Sequence, residues 1–202
     1  MAQIDLTTGN ITKTMLRFAL PMICGNMLQQ LYNVVDTLIV GQFLGADALA
    51  AVGSSYALMT FLTSILLGMC MGSGAVFSVR FGEKNEEKLQ EDMFVSFLLI
   101  ASFTVLLNVL VFAFLDPIMH LLSVPDQVYM LMREYLWVIF WGIAATFFYN
   151  YFASLLRAVG NSLVPLLFLG LAALLNIEVD LILLLTRHLG LDGAGGASLI
   201  SQ

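Results

Sequence analysis

Charge is what this sequence has least of. Asp, Glu, Lys and Arg make up 11% of its 202 residues, whereas soluble domains carry roughly 25%. That scarcity excludes an ordinary soluble domain. The charges present are 8 basic and 14 acidic, a formal net charge of -6. With no basic stripe among them, nucleic acid is not a partner. Cysteine is nearly absent too. Cys24 and Cys70 stand apart inside apolar stretches, where packing as small neutral side chains is expected rather than a disulfide or a metal site. His120 and His188 lie singly in predicted connections, so no metal site is expected. The glycines of GMCMGSGAVFS are followed by no Lys, which removes a phosphate-binding loop. No nucleophile triad is visible, and no catalytic residue is assigned. The stretch MAQIDLTTGNITKTMLRFALPM shows no small-residue cleavage site after a short apolar core, so the first apolar run is expected to stay.

What the sequence has is hydrocarbon. Hydrophobic residues make up 60% and the mean hydropathy is +0.93. Runs long enough to cross a bilayer predict helices over 15–40, 49–79, 93–115, 129–152 and 163–186, with a sixth, 191–202, cut short at Gln202. The expected fold is an all-α membrane protein, a six-transmembrane-helix bundle with its sixth helix truncated. The second run carries Gly68, Gly72 and Gly74, and is expected to pack a neighbouring helix closely through these small residues. Lys13, Arg17, Arg80, Lys84, Lys88 and Arg157 all fall inside if the N-terminus is cytoplasmic, leaving Arg133 and Arg187 outside. That bias sets the orientation. The alternating charges of RFGEKNEEKLQED then form a solvated inner loop, while GQFLGADA and DPIMHLLSVPDQ read as short outer connections.

Three acids lie within the spans: Asp36, Glu178 and Asp180. An ionised Asp at the bilayer centre costs about 2.5 to 3.5 kcal/mol on insertion scales, so each needs a partner. Asp36 follows Phe18 by 18 residues and Asp180 follows Pro165 by 15. At about 1.5 Å per residue, both carboxylates arrive in the outer half of the membrane at similar depth. Helical spacing puts Asn33, Tyr32 and Gln29 on the face of Asp36, and Asn176 on that of Asp180, so each acid heads a polar stripe. In the fourth span Tyr135, Gly142, Thr146 and Asn150 also share a face. Two acids lining one cavity repel, which raises at least one pKa unless a cation sits between them. That is the chemistry of proton or sodium coupling. Glu178, two residues from Asp180, points about 200° away. Pro21 removes a backbone hydrogen bond inside the first span and permits a bend.

The stretches PMICGNMLQQLYNVVDTLIVGQFLGADALAAVG, LLRAVGNSLVP, LLNIEVDLILL and GAGGASLISQ together resemble the multidrug and toxic compound extrusion (MATE) family of secondary transporters. That family has twelve helices in two lobes, so the resemblance implies the N-terminal lobe only. It implies a cation-coupling set at Asp36, Asn176, Asp180, Tyr135 and Ser198, the last standing where the family usually has Thr. It implies a helix-bending role for Pro21 and a substrate cavity lined by Gln29 and Asn150, beside Asn33 of the first polar stripe. Glu178 stands where the family is apolar. The implied activity is antiport, in which a proton or sodium gradient drives export of small organic cations by alternating access, with no other cofactor. The implied setting is the cytoplasmic membrane, with the second lobe supplied by a further segment or a second copy. A lipid-linked precursor flippase is the alternative, but its cavity would present basic residues to phosphates, and the interior candidates are acidic or neutral. An intramembrane aspartyl protease is a remote one, since the acids follow Val35 and Val179 rather than that family's motifs.

Overall fold

The computed structural model describes residues 10–43, 45–122 and 124–187, with the side chains at 32, 36, 40, 43 and 176–187 outside that description. Seven helices and no strand occur among these residues: α1 (Ile11–Phe43), α2 (Ala46–Gly82), α3 (Glu86–Ala113), α4 (Leu115–Leu121), α5 (Asp126–Trp141), α6 (Ile143–Ala158) and α7 (Leu163–Arg187). The predicted spans 15–40, 49–79, 93–115 and 163–186 fall on α1, α2, α3 and α7, give or take the ends. The sixth, 191–202, lies outside the described residues.

The fourth predicted span, 129–152, is not one helix. It is α5 and α6, broken at Gly142 and bent by 44°. The outer connection DPIMHLLSVPDQ is likewise helical over its first half, as α4. Pro117 sits in the first turn of α4, where its missing N–H costs nothing. The charged loop shrinks to a tight turn at Glu83–Asn85, with Lys84 at φ 54°. Its charges are more than a solvated face. Arg80 donates to Asp92 at 2.9 Å and to Glu83 at 3.2 Å, tying the end of α2 to the start of α3, and the Asn85 side chain caps α3 by accepting from the Lys88 N–H.

α2 is the hub, packed on α3, α5 and α6, while α1 packs mainly on α7. The core divides into two clusters. One gathers Leu58, Leu62 and Leu66 of α2 with Leu107, Val111, Met119, Met132 and Phe140. The other gathers Cys70 and Phe77 with Ile100, Phe147 and Tyr151. Large apolar side chains such as Phe61, Phe94, Val105, Trp141 and Phe168 remain exposed around the bundle, the surface of a protein solvated by lipid rather than water. By length and composition α2 and α3 each suffice to cross a membrane, and α5 with α6 makes a third, broken span. α1, though 33 residues long, falls outside that group. Arg17, Asn26, Gln29 and Gln30 dilute its apolar residues.

Of the three glycines expected to pack closely, only Gly74 meets a neighbour among the described residues. A methyl group there would run into the Ser154 hydroxyl, which donates to the Cys70 carbonyl at 2.7 Å. Gly68 and Gly72 face open space. The glycine run is therefore a single contact between α2 and α6, not a stripe. Gly74→Ala should cost about 1 to 3 kcal/mol through overpacking. Gly72→Ala should be neutral or stabilise by up to about 1 kcal/mol from helix propensity. Thermal unfolding of the two variants in detergent checks this, and equal melting temperatures would refute the α2–α6 contact.

Candidate functional site

α1 and α7 lie side by side and run in the same direction. Their register can be read from three contacts. The Ser162 hydroxyl, at the start of α7, donates to the Phe18 carbonyl at 3.0 Å. A methyl on Gly25 would meet Leu166 and Leu169 at 3.5 and 3.7 Å, and one on Gly170 would meet Leu28 at 3.5 Å. The paired numbers differ by 141 to 144 throughout, as parallel helices require. Continued along both helices, that offset carries position 36 to the level of 177–180.

The faces agree as well as the levels. Position 36 follows Gly25 by eleven residues and Phe18 by eighteen, both close to whole numbers of turns. It falls on the face of α1 that meets α7. Position 180 follows Leu169 by eleven and Ser162 by eighteen, so it lies on the face of α7 that meets α1, with 176 one turn before it. Position 178 falls on the opposite side. The side chains of Asp36, Asn176 and Asp180 lie outside the described set, and Ser198 lies outside the described residues altogether. The backbone alone carries the placement.

Bordering this seam α1 presents a polar row that starts at Gln29, about one turn after Gly25, and widens away from α7. Asn26, Gln29, Gln30 and Thr37 are exposed and Asn33 is half-buried. Thr37 satisfies its hydroxyl within the helix, on the Asn33 carbonyl at 2.7 Å. The amides of Asn26, Gln29 and Gln30 would be costly against lipid, so this side of α1 suits a water-filled cavity or a second protein surface. The helix runs unbroken through Pro21.

The fourth span contributes differently than its sequence suggests. Tyr135 is buried in the first core cluster, against α2, on α5. Thr146 and Asn150 are half-buried on α6, beyond the 44° bend. The Asn150 amide donates to the Thr146 carbonyl at 2.8 Å. Seven residues on, the same face of α6 carries Arg157. That arginine is half-buried, and its Nε has no hydrogen-bond partner. Sequence reasoning used Arg157 only to orient the chain. Its spacing from Thr146 and Asn150 was the signal that it belongs to the polar stripe.

Two further groups escaped the sequence. Asn108 of α3 donates from its side chain to the Phe140 carbonyl at 2.8 Å. Asp116 accepts from Arg133 Nε at 2.9 Å and from the Tyr129 hydroxyl at 3.0 Å, joining α4 to α5 at the end of the bundle opposite the N-terminus of α1. Among the described residues no group of three His, Cys, Asp or Glu side chains is arranged to hold a metal ion.

A helical bundle with large apolar side chains on its outside and one helix that keeps a polar face has the build of a multi-pass membrane transporter. The chain belongs to the MatE family, whose profile matches residues 21–182. It is similar to a probable multidrug resistance protein, YpnP, of Bacillus subtilis, at 28% identity over 100% of this chain and 45% of that protein. It is 26% identical to an FAD transporter of Shewanella oneidensis over 97% of this chain and 44% of that one. Its fold matches a solved multidrug resistance MATE family transporter in an outward-facing conformation, with a TM-score of 0.92 and 26% identity, over 100% of this chain and 44% of that one. The chain thus spans less than half the length of the relatives it matches, the extent of one lobe.

Arg133 and Tyr129 hold the Asp116 carboxyl below the usual carboxylate range, the guanidinium contributing most. A carboxyl that titrates lower in the native than in the unfolded state, where about 3.9 is usual, adds stability above the unfolded value and loses it as pH falls through the native one. Asp116→Asn should therefore lower the melting temperature at neutral pH, with the gap to wild type closing only below about pH 4. A gap that does not change with pH would show that the carboxylate's charge is not what ties α4 to α5.

Proposed function

We propose that this lobe serves a cation-coupled antiporter that exports small organic cations across the cytoplasmic membrane, with the N-terminus of α1 on the cytoplasmic side. The supporting observation is the parallel register of α1 and α7. It carries two acid positions, 36 and 180, to one level on facing sides of a seam, with an Asn position, 176, one turn away. Two carboxyls at that spacing repel when both are ionised, so a proton or a sodium ion between them lowers the free energy of the site. Binding there competes with the water-filled state and alters how closely α1 and α7 pack. Pro21, lower on α1, removes a hydrogen bond and lets the helix bend in response. The second lobe, from a further segment or a second copy, completes a cavity whose near wall is the exposed row of Asn26, Gln29, Gln30 and Asn33.

Tyr135 and Ser198 belong to the same proposal. Tyr135, buried in the first core cluster, would take part through its hydroxyl, and Ser198 would supply a hydroxyl oxygen. The relatives named for multidrug resistance agree with export of organic compounds.

One observation favours a second reading. Arg157 puts a guanidinium whose buried Nε lacks a hydrogen-bond partner on the polar stripe of α6, which suits an anionic substrate, and one relative is named an FAD transporter.

The deciding experiment is Asp36→Asn in the complete transporter, assayed for gradient-driven efflux of a fluorescent organic cation from proteoliposomes. Efflux driven by an imposed proton or sodium gradient should fall to the level of empty vesicles, while facilitated equilibration without a gradient persists. Retained gradient-driven efflux would remove Asp36 from the coupling step. Arg157→Gln separates the two substrate readings: it should spare the efflux of cations and reduce transport of FAD by about tenfold or more, the scale of one lost charge-assisted contact.

A further inference from the structure

We propose that Asn108 is a positioning residue of the transport cycle, because its side-chain amide clasps the carbonyl of Phe140 and so holds the bend that aims the Tyr135-bearing half of the fourth span. The transport consequence rests on the cation-coupled reading above, whereas the structural part stands on the break itself.

α5 ends at Trp141 and α6 begins at Ile143, at 44° to it. A bend inside a bilayer persists only where the disturbed backbone groups find other partners, since lipid offers none. Gly142 turns its own N–H back to the Ile139 carbonyl at 2.8 Å. The Phe140 carbonyl, two residues before the break, takes a bond from a different helix, the Asn108 Nδ2 of α3, also at 2.8 Å. On the α6 side the Thr146 hydroxyl adds to the Gly142 carbonyl at 3.0 Å. Asn108 is the one amide in the apolar run from Met93 to Leu115. Without the Phe140 carbonyl it would be a half-buried amide in hydrocarbon, which is costly.

The clasp also lies at a boundary. The first core cluster holds Leu107, Val111, Met132, Tyr135, Leu136 and Phe140, and the second holds Ile100, Phe147 and Tyr151. The boundary lies next to the break at Gly142: of the fourth span the first cluster takes residues of α5 and Ile143 at the start of α6, and the second takes Phe147 and Tyr151 further along α6. Tyr135 therefore moves with the first cluster, and Asn150 and Arg157 move with α6. One side-chain bond from α3, at the level of the break, fixes the angle between them. Loss of that bond lets α5 and α6 approach a common axis and displaces Tyr135 relative to the α1–α7 seam.

The test uses the complete transporter with spin labels at Met130 and Phe152, both exposed and on opposite sides of the break, in wild type, Asn108→Leu and Asn108→Gln. Leu keeps the volume without the donor, and Gln keeps the donor. The expected result is a longer and broader label distance in the Leu variant, restored toward wild type by Gln. The cation concentration for half-maximal transport should shift by about threefold to tenfold in the Leu variant, the range for one interhelical side-chain bond, and return with Gln. An unchanged distance distribution in Asn108→Leu overturns the clasp, whether or not transport survives. A changed distance with an unmoved half-maximal concentration and only a lower maximal rate overturns the positioning role. If the Leu variant does not accumulate in the membrane, Asn108→Ser, whose hydroxyl is too short to reach Phe140, takes its place with the same expectations. Failure of the wild-type protein to couple to any cation would sink the antiport reading but leave the distance result to decide the clasp.

Discussion

The parallel seam between α1 and α7 is the constraint on which the rest of this structure depends. α1 carries Asn26, Gln29, Gln30, Asn33 and Thr37 through a lipid-solvated bundle, and such a helix is held in place only if its other face is well packed. That packing comes from small residues at the crossing, Gly25 and Gly170, with leucines from the partner filling the space beside them. It is anchored at one end by Ser162, whose hydroxyl spans from the start of α7 to the Phe18 carbonyl. Once the register is fixed there, the levels of every polar position further along both helices follow. A slip by one turn, about 5.4 Å, would separate position 36 from 180.

The remaining helices form a frame with a joint in it. α2 binds the frame at Gly74 and Ser154, where two backbones come as close as a missing side chain permits. At the two ends charged pairs join consecutive helices, Arg80 with Asp92 and Arg133 with Asp116. Between them the fourth span bends at Gly142. A transporter needs a rigid part to hold its site and a part that moves. In the proposed cycle the two core clusters would be the rigid part, and the Asn108–Phe140 bond would set the angle at which α5 and α6 join.

Much of the helical layout was legible because lipid imposes long apolar runs, and α2, α3 and α7 follow such runs closely. The bend was not, since the apolar run continues without a charge from Tyr135 to Phe152 while the backbone turns at one glycine. Nor was α4, because Asp116 and Pro117 read as connection signals although both are tolerated in the first turn of a helix. The polar stripes of α1 and α7 were drawn from the 3.6-residue period alone, and the backbone seam adds the relative register of the two helices, which no single-helix pattern contains. Tyr135 was placed on a stripe with Asn150 by assuming a straight helix, and the bend divides that stripe. Asn108 carried a readable signal, a lone amide in an apolar run, but its partner is a backbone carbonyl, and carbonyls leave no mark in a sequence. Arg157 was legible as a charge and missed as a member of the α6 polar stripe, because a charge near the end of a span reads first as topology.

The claim at the centre is that positions 36 and 180 face one another across the seam. The most direct measurement is disulfide formation in the complete transporter, with Cys24 and Cys70 replaced by Ser and cysteines introduced as Asp36→Cys with Asp180→Cys, or as Asp36→Cys with Glu178→Cys. A disulfide requires Cα atoms within about 7 Å. The account predicts efficient crosslinking of the 36–180 pair under mild oxidation and little of the 36–178 pair. Crosslinking of 36 with 178 and not with 180 would contradict the register, and with it the shared cation site.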